Sequence, residues 1–250
     1  MCCLFGFIDY AGALSVRQKN RLIRELSIAA EARGTDATGV AYNTSRGLQI
    51  YKRPLAAHRL HLRIPAEAHV VMGHTRMTTQ GSAKKNFNNH PFFGCVKGKY
   101  FALAHNGVLW NDRGLRHTKH LPKTKIQTDS YVAVQLLEQQ KALDFDSLAK
   151  MAEQVEGSFS FAVLDEQDAL WIVKGDNPLT IVHFPAVGVY VYASTAEILN
   201  KALARCGNWL GREEKGDIAM GDIIKIDSNG RITRGTFDAS KFYLSSWGYW

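Results

Sequence analysis

Apolar segments of strand character come along this chain in groups, with helices set between the groups and largely in pairs. "CCLFGFID" reads as a short buried strand, and "SVRQKNRLIRELSIAAEARG" as a helix with Ser15 as N-cap and Gly34 just past its end. "GVAY", "LQIYKR", "AHVVMGHTR" and "FGCVKGKYFALAHN" follow as strand-like segments. "TDSYVAVQLLEQQKAL" and "DSLAKMAEQV" carry a helical pattern. Then "FSFAVLD", "ALWIVKG", "LTIVHF" and "GVYVYAS" return to strand, "TAEILNKALARC" to helix, and "DIIKID" and "RITRGTF" close the series. Grouped, antiparallel-looking strands with paired helices predict an α+β layered domain. No linker, repeat or low-complexity stretch divides the chain, so a single domain over 1–250 is expected.

Composition narrows the function classes. At 46% hydrophobic residues, 250 residues fill a sizeable core. No apolar run approaches the roughly 18 residues of a membrane span, and no secretory signal pattern opens the chain. A soluble, cytoplasmic protein with no membrane partner is expected. Cys2, Cys3, Cys95 and Cys206 are too few and too scattered for a disulfide framework, so reduced thiols are the default. A net charge of +8 invites a nucleic-acid reading, but the basic residues are dispersed. The clusters "AKKNF" and "RHTKHLPKTK" read as solvated loops, and nucleic acid is not an expected partner. No metal and no cofactor are expected.

The chemistry sits in short motifs, each with a structural alternative. Removal of Met1 makes Cys2 the first residue, joining a thiol nucleophile to an α-amine base whose unperturbed pKa is roughly 7.7–8.0. By itself, a Cys in an apolar strand is more simply a small core residue. In "GHTRMTTQG", Arg76 at a strand end can grip a carboxylate while Thr79 and the backbone fold over a small ligand; a salt-bridged arginine is the alternative. "AHNGVLWN" places Asn106 and Gly107 at a strand end, where a side-chain amide and a backbone N–H can meet one oxygen, as an oxyanion hole requires. Taken by itself, an Asn-Gly turn is the simpler reading there. Asp129 in "QTDSY" lies near a helix start, where the dipole favours a carboxylate, and it can also hold an ammonium.

Taken in series these pieces resemble the class II glutamine amidotransferase domains of the N-terminal nucleophile hydrolases. Met-Cys and its apolar strand, "RGTDATG" from Arg33, "GHTRMTTQG", "NNHP" from Asn88, "HNG" from His105 and "TDS" from Thr128 occur in the family's order and roughly its spacing. With "GSFSFAVLD" they cover about the first 165 residues. The resemblance implies a four-layer αββα sandwich. It also implies Cys2 as nucleophile with its own amine as base, Asn106 and Gly107 as oxyanion hole, and Arg76 and Asp129 on the α-carboxylate and α-ammonium of L-glutamine, with Thr79 in the closing loop. Arg33 and Asp36 are implied as supports, and His90 and His105 as residues behind the site. The sequence departs from the family pattern at Cys3, where glycine is usual, at Met77, where an aromatic is usual, and at Gln80, where histidine is frequent.

Familiar members fuse this domain to a synthetase that consumes the ammonia, and 250 residues leave no room for one. The reading is therefore a glutaminase that supplies ammonia to a separate synthetase. The alternatives are an amidohydrolase cutting another γ-glutamyl amide and a catalytically idle amino-acid-binding scaffold. The aromatic tail, Trp247 to Trp250, is a candidate contact for the partner or a segment packed on its own domain.

Overall fold

A computed structural model of the chain describes residues 2–245. The elements run β1 (Cys3–Asp9), α1 (Val16–Ala30), β2 (Ala37–Thr44), β3 (Gly47–Arg53), β4 (Val70–Arg76), β5 (Phe92–Val96) and β6 (Lys99–Leu109). Three helices follow, α2 (Asp112–Thr118), α3 (Tyr131–Gln140) and α4 (Phe145–Gln154). Then come β7 (Gly157–Asp165), β8 (Leu170–Lys174), β9 (Thr180–Phe184), β10 (Val189–Ala193), α5 (Ala196–Cys206), β11 (Glu214–Lys215), β12 (Asp222–Ile226), β13 (Ile232–Thr236) and α6 (Ser240–Ser245). Among the described residues no helix is long and apolar enough to cross a membrane.

Every strand pairing is antiparallel, and the strands form two sheets. One has the order β11-β9-β10-β1-β4-β2-β3 and the other β13-β12-β8-β7-β6-β5. The alternation of side chains along each strand sorts them into three apolar layers. Phe5, Phe7 and Val191 face α1 and α5, and Phe101, Leu103, Phe161 and Val163 face α3 and α4. Leu4, Ile8, Ala102, Ala104 and Ala162 fill the space between the sheets. The result is the expected α+β fold, a four-layer αββα sandwich. Small alanines on the inner face of β6 and β7 let the second sheet lie close on β1, while the aromatic payload of the same strands goes to the helix side.

Local signals are met where they are strongest. Ser15 caps α1 in a reciprocal box, accepting from the Gln18 amide while the Gln18 side chain accepts from the Ser15 amide. Three readings need correction. "FGCVKGKYFALAHN" is a hairpin that turns at Lys97 and Gly98, both in the left-handed region. The first part of the basic cluster "RHTKHLPKTK" belongs to α2 and is not loop, with Leu115 as its buried anchor. Asn106 and Gly107 lie inside β6, paired with Ser160 and Phe159, and two more residues continue the strand. The tail from Trp247 to Trp250 lies outside the described residues.

Candidate active site

Strand register brings the sequence motifs to one end of the sandwich. Cys3 pairs with Thr75 across the β1–β4 ladder, so the next step sets Cys2 against Arg76. From the facing sheet, β6 brings Asn106 and Gly107, and the turn into α3 brings Asp129. Cys2 is buried, and its thiol points to the Met77 carbonyl at 3.5 Å. Its neighbour Cys3 faces the opposite side of β1, packed among the residues that meet α1, with the thiol on the Leu4 carbonyl at 3.2 Å. Burial pushes both thiols up, Cys3 to about 11. For Cys2, the Met77 contact and Arg76 oppose that push, and Asp129 adds to it. A thiol held protonated needs a base at hand before it can attack.

Arg33 ties the nucleophile's backbone to the oxyanion candidate. Its Nε donates to the Cys2 carbonyl at 2.8 Å, and its Nη2 to Asn106 Oδ1 at 3.4 Å. With the Asn106 oxygen fixed in that way, the Nδ2 donor turns the other way, and it is fully buried with no partner. An unpaired buried amide is costly, so its retention points to a ligand oxygen. Gly107 has φ +145°, and a Cβ there would come within 1.9 Å of the Ser158 carbonyl, so only glycine fits this stretch of β6.

Arg76 and Asp129 are both buried, and both lie close enough to the Cys2 thiol to act on its ionisation, Arg76 lowering its pKa and Asp129 raising it. The Arg76 guanidinium donates to Asn89 Oδ1 at 2.6 Å and to the carbonyls of Gln80 and Gly81 at 2.6 and 3.2 Å. It therefore organises the loop after β4 as well as presenting its charge. Asp36 fixes the start of that loop by accepting the Thr78 amide at 2.7 Å. Thr79 is exposed on the loop, and Met77 is 52% exposed beside it. Asp129 Oδ2 accepts the Leu109 amide at 2.7 Å, which ties it to the strand that carries Asn106.

The histidines stand behind these groups. His90 is buried between His74 and Phe92, at centroid distances of 4.2 and 4.3 Å, and neither ring nitrogen has a partner. His105 Nε2 faces the Ser158 carbonyl and Nδ1 the Ser130 hydroxyl at 2.7 Å, so the proton sits on Nε2 and Nδ1 accepts. Burial holds all three imidazoles neutral, His74 down to about 3, His90 well below its ordinary value and His105 lowered against the pull of Asp129.

The structure adds residues that the motif reading left aside. Asn89 holds Arg76, and Asn88 accepts the Gln127 amide at 2.9 Å and the Thr128 hydroxyl at 2.8 Å, so the two asparagines of "NNHP" join the arginine to the segment bearing Asp129. Asp112 of α2 receives the Gln80 amide at 3.2 Å and so reaches the loop. Asn177, in the turn after β8, is buried with an unpartnered Nδ2 that lies 2.7 Å from the place a Gly107 Cβ would occupy. Among the described residues no group of His, Cys, Asp or Glu is arranged to hold a metal ion.

Comparison with known proteins gives a consistent picture. A family profile described as a glutamine amidotransferase domain matches residues 74–201. The glutamine–fructose-6-phosphate aminotransferase (isomerizing) of Sulfurisphaera tokodaii is 32% identical over 194 residues, covering 72% of this chain and 31% of that protein. The chain thus spans about a third of the length of the curated relatives it matches. Among solved structures, the glutamine phosphoribosylpyrophosphate amidotransferase of B. subtilis superimposes with a TM-score of 0.71 at 17% identity, over 95% of this chain and 49% of that one. A predicted glutamine amidotransferase from Pseudomonas aeruginosa PA01 has a TM-score of 0.53 at 16% identity and covers 92% of this chain and 94% of its own.

Proposed function

The chain belongs to the class II glutamine amidotransferase domains, and on that premise we propose that it hydrolyses the side-chain amide of L-glutamine at Cys2. One observation carries the reading: Arg33 ties the Cys2 carbonyl to Asn106 Oδ1, and the buried Asn106 Nδ2 is left without a partner. Removal of Met1 frees the Cys2 α-amine, which takes the thiol proton. The thiolate attacks the γ-carbonyl carbon, a C–S bond forms, and the carbonyl electron pair moves onto oxygen. Asn106 Nδ2 and the Gly107 amide receive that oxyanion. The protonated amine passes its proton to the departing nitrogen, the C–N bond breaks and ammonia leaves. Water then attacks the thioester, giving up a proton to the same amine, and glutamate departs as the thiol is restored.

Arg76 and Asp129 fix the two charges of the glutamine backbone, with Thr79 in the loop that covers it. In this reading Arg76 serves the loop and the carboxylate together. Arg33, Asp36, His90 and His105 are positioning residues. The ammonia goes to an acceptor bound outside these 250 residues, on a partner with synthetase activity. Ammonia released to water at neutral pH is mostly protonated and no longer nucleophilic, so docking of that partner is part of the proposal.

The oxyanion assignment is tested by Asn106→Ala in a glutamate-release assay. The charge that Asn106 meets exists only after attack, so kcat is expected to fall about 10²–10³-fold with little change in KM. A rise in KM at unchanged kcat would assign Asn106 to substrate binding. An enzyme that ignores free glutamine yet cleaves another γ-glutamyl amide would move the substrate to that class.

A further inference from the structure

Away from the candidate active site, the hairpin turn between β5 and β6, the connection from α3 to α4, the turn from β7 to β8 and strand β12 enclose a cavity of about 280 Å³. Four lysines line it, Lys97, Lys99, Lys141 and Lys225. They come from three places in the fold, Lys97 and Lys99 from the β5–β6 hairpin, Lys141 from the end of α3 and Lys225 from β12, and two of them, Lys97 and Lys141, sit at turn residues in the left-handed region. Among the described residues none of the four ammonium groups has a hydrogen-bond or ion-pair partner, while Lys225 lies over the Trp171 ring at 4.6 Å. Lysines normally spread over a surface or pair with carboxylates. Four unpaired ones converging on a concave site raise the local potential for anions.

The two carboxylates in the lining offset half of that charge and are held by groups other than the lysines. Asp165 is engaged by the Gln167 and Ala169 amides at 2.9 Å and by Trp171 Nε1 at 3.1 Å, and Glu166 accepts the Tyr100 amide at 2.9 Å. Even with both counted, the lining keeps a net charge of +2, four lysines less two acids. The site is separate from the candidate active centre. Lys99 and Asn106 stand seven residues apart on β6, which at about 3.3 Å per residue is roughly 23 Å.

We infer that this cavity binds a compact polyanion carrying at least two phosphate groups. Four ammonium groups lining one cavity offer more donors than a single phosphate group needs, and a diphosphate is the compact anion that can use more of them at once. A diphosphate can arrive free or on a nucleoside, and Tyr100, 45% exposed in the lining with its ring 4.9 Å from that of Phe93, gives a base an aromatic pair to pack on.

Isothermal titration of the purified chain with inorganic pyrophosphate, against chloride at matched ionic strength, tests the inference. One-to-one binding is expected, weakened at least about tenfold when Lys97, Lys99, Lys141 and Lys225 are all changed to Gln. Removing the same charge elsewhere, by Gln at Lys84, Lys85, Lys119 and Lys123, is expected to change the affinity by less than about threefold. Should the quadruple cavity variant fail to fold, Lys99→Gln and Lys225→Gln, each on a strand, are expected to weaken binding singly. ADP in place of pyrophosphate separates the two sources: tighter ADP binding assigns a nucleotide and equal binding the diphosphate alone. Absence of binding at millimolar pyrophosphate, or equal weakening by the control set, would overturn the inference.

Discussion

Cys2→Ala is expected to abolish glutamine hydrolysis, and Cys3→Ala to keep most of it. The two cysteines are adjacent in sequence, yet the pleat of β1 sends their side chains to opposite faces. Cys2 lies on the other face of β1, buried with its thiol 3.5 Å from the Met77 carbonyl and Arg76 near enough to act on its charge, and the proposed reaction takes place at this sulfur. Cys3 lies in the apolar layer against α1, with a thiol pushed up to about 11 and no route to substrate. Removing the Cys2 sulfur deletes the only atom that forms the covalent bond, so the loss is complete and not graded. Removing the Cys3 sulfur leaves a small cavity, at a cost of about 1 kcal/mol per buried group of that size. Equal loss from the two substitutions in a glutamate-release assay would sink the assignment.

Acid is expected to unfold this protein well before its carboxylates alone would cause it to. His74, His90 and His105 are buried neutral, with pKa values depressed below the unfolded value of about 6.5, His74 to about 3. In the unfolded chain all three take up protons as the pH falls through 6.5, while the folded chain refuses them. Stability is therefore fully present above the unfolded pKa and is lost as pH falls, until the folded pKa values are passed. Between pH 6 and pH 5 the proton that folded His74 refuses costs about 1 kcal/mol by itself, and His90 and His105 act in the same direction, against a typical total of about 5–15 kcal/mol. Urea midpoints at pH 7, 6 and 5 measure the slope. His90→Phe, at a position whose ring nitrogens bond to nothing, is expected to flatten it by one proton. A midpoint that stays level from pH 7 to pH 5 would mean that the three imidazoles accept protons in the fold.

Long periodic segments were legible because one force, burial of one face, writes them into the sequence. Strand β1 was readable as a short continuous apolar run because both of its faces are buried, Phe5 and Phe7 toward α1 and Leu4 and Ile8 between the sheets, and Ser15 marks the start of α1. Helix α2 was not readable, since Leu115 is its main apolar anchor among charged neighbours. The hairpin at Lys97 and Gly98 was hidden by apolar residues on both sides of a two-residue turn. Cys2, Arg76, Asn106 and Asp129 stood out in the sequence as chemically distinct residues in short motifs, and the fold brings them to one end of the sandwich, with Asn106 inside β6 and not at its end. Asn88 and Asn89 stood in the motif "NNHP" without a role, and Asp112 stood in none, because their work consists of hydrogen bonds between loops distant in sequence. Asn177 left one trace, the Gly-Asp-Asn-Pro turn directly after a strand.

The central claim is that Cys2, freed of Met1, is the working thiol. Labelling the purified protein with a glutamine-mimicking electrophile, followed by intact mass and peptide mapping, tests it most directly. The expected result is one adduct per chain, carried by Cys2 and confined to molecules that have lost Met1, with glutamine turnover falling in step with labelling. An adduct on Cys95 or Cys206, or full labelling and turnover in molecules that retain Met1, would contradict it.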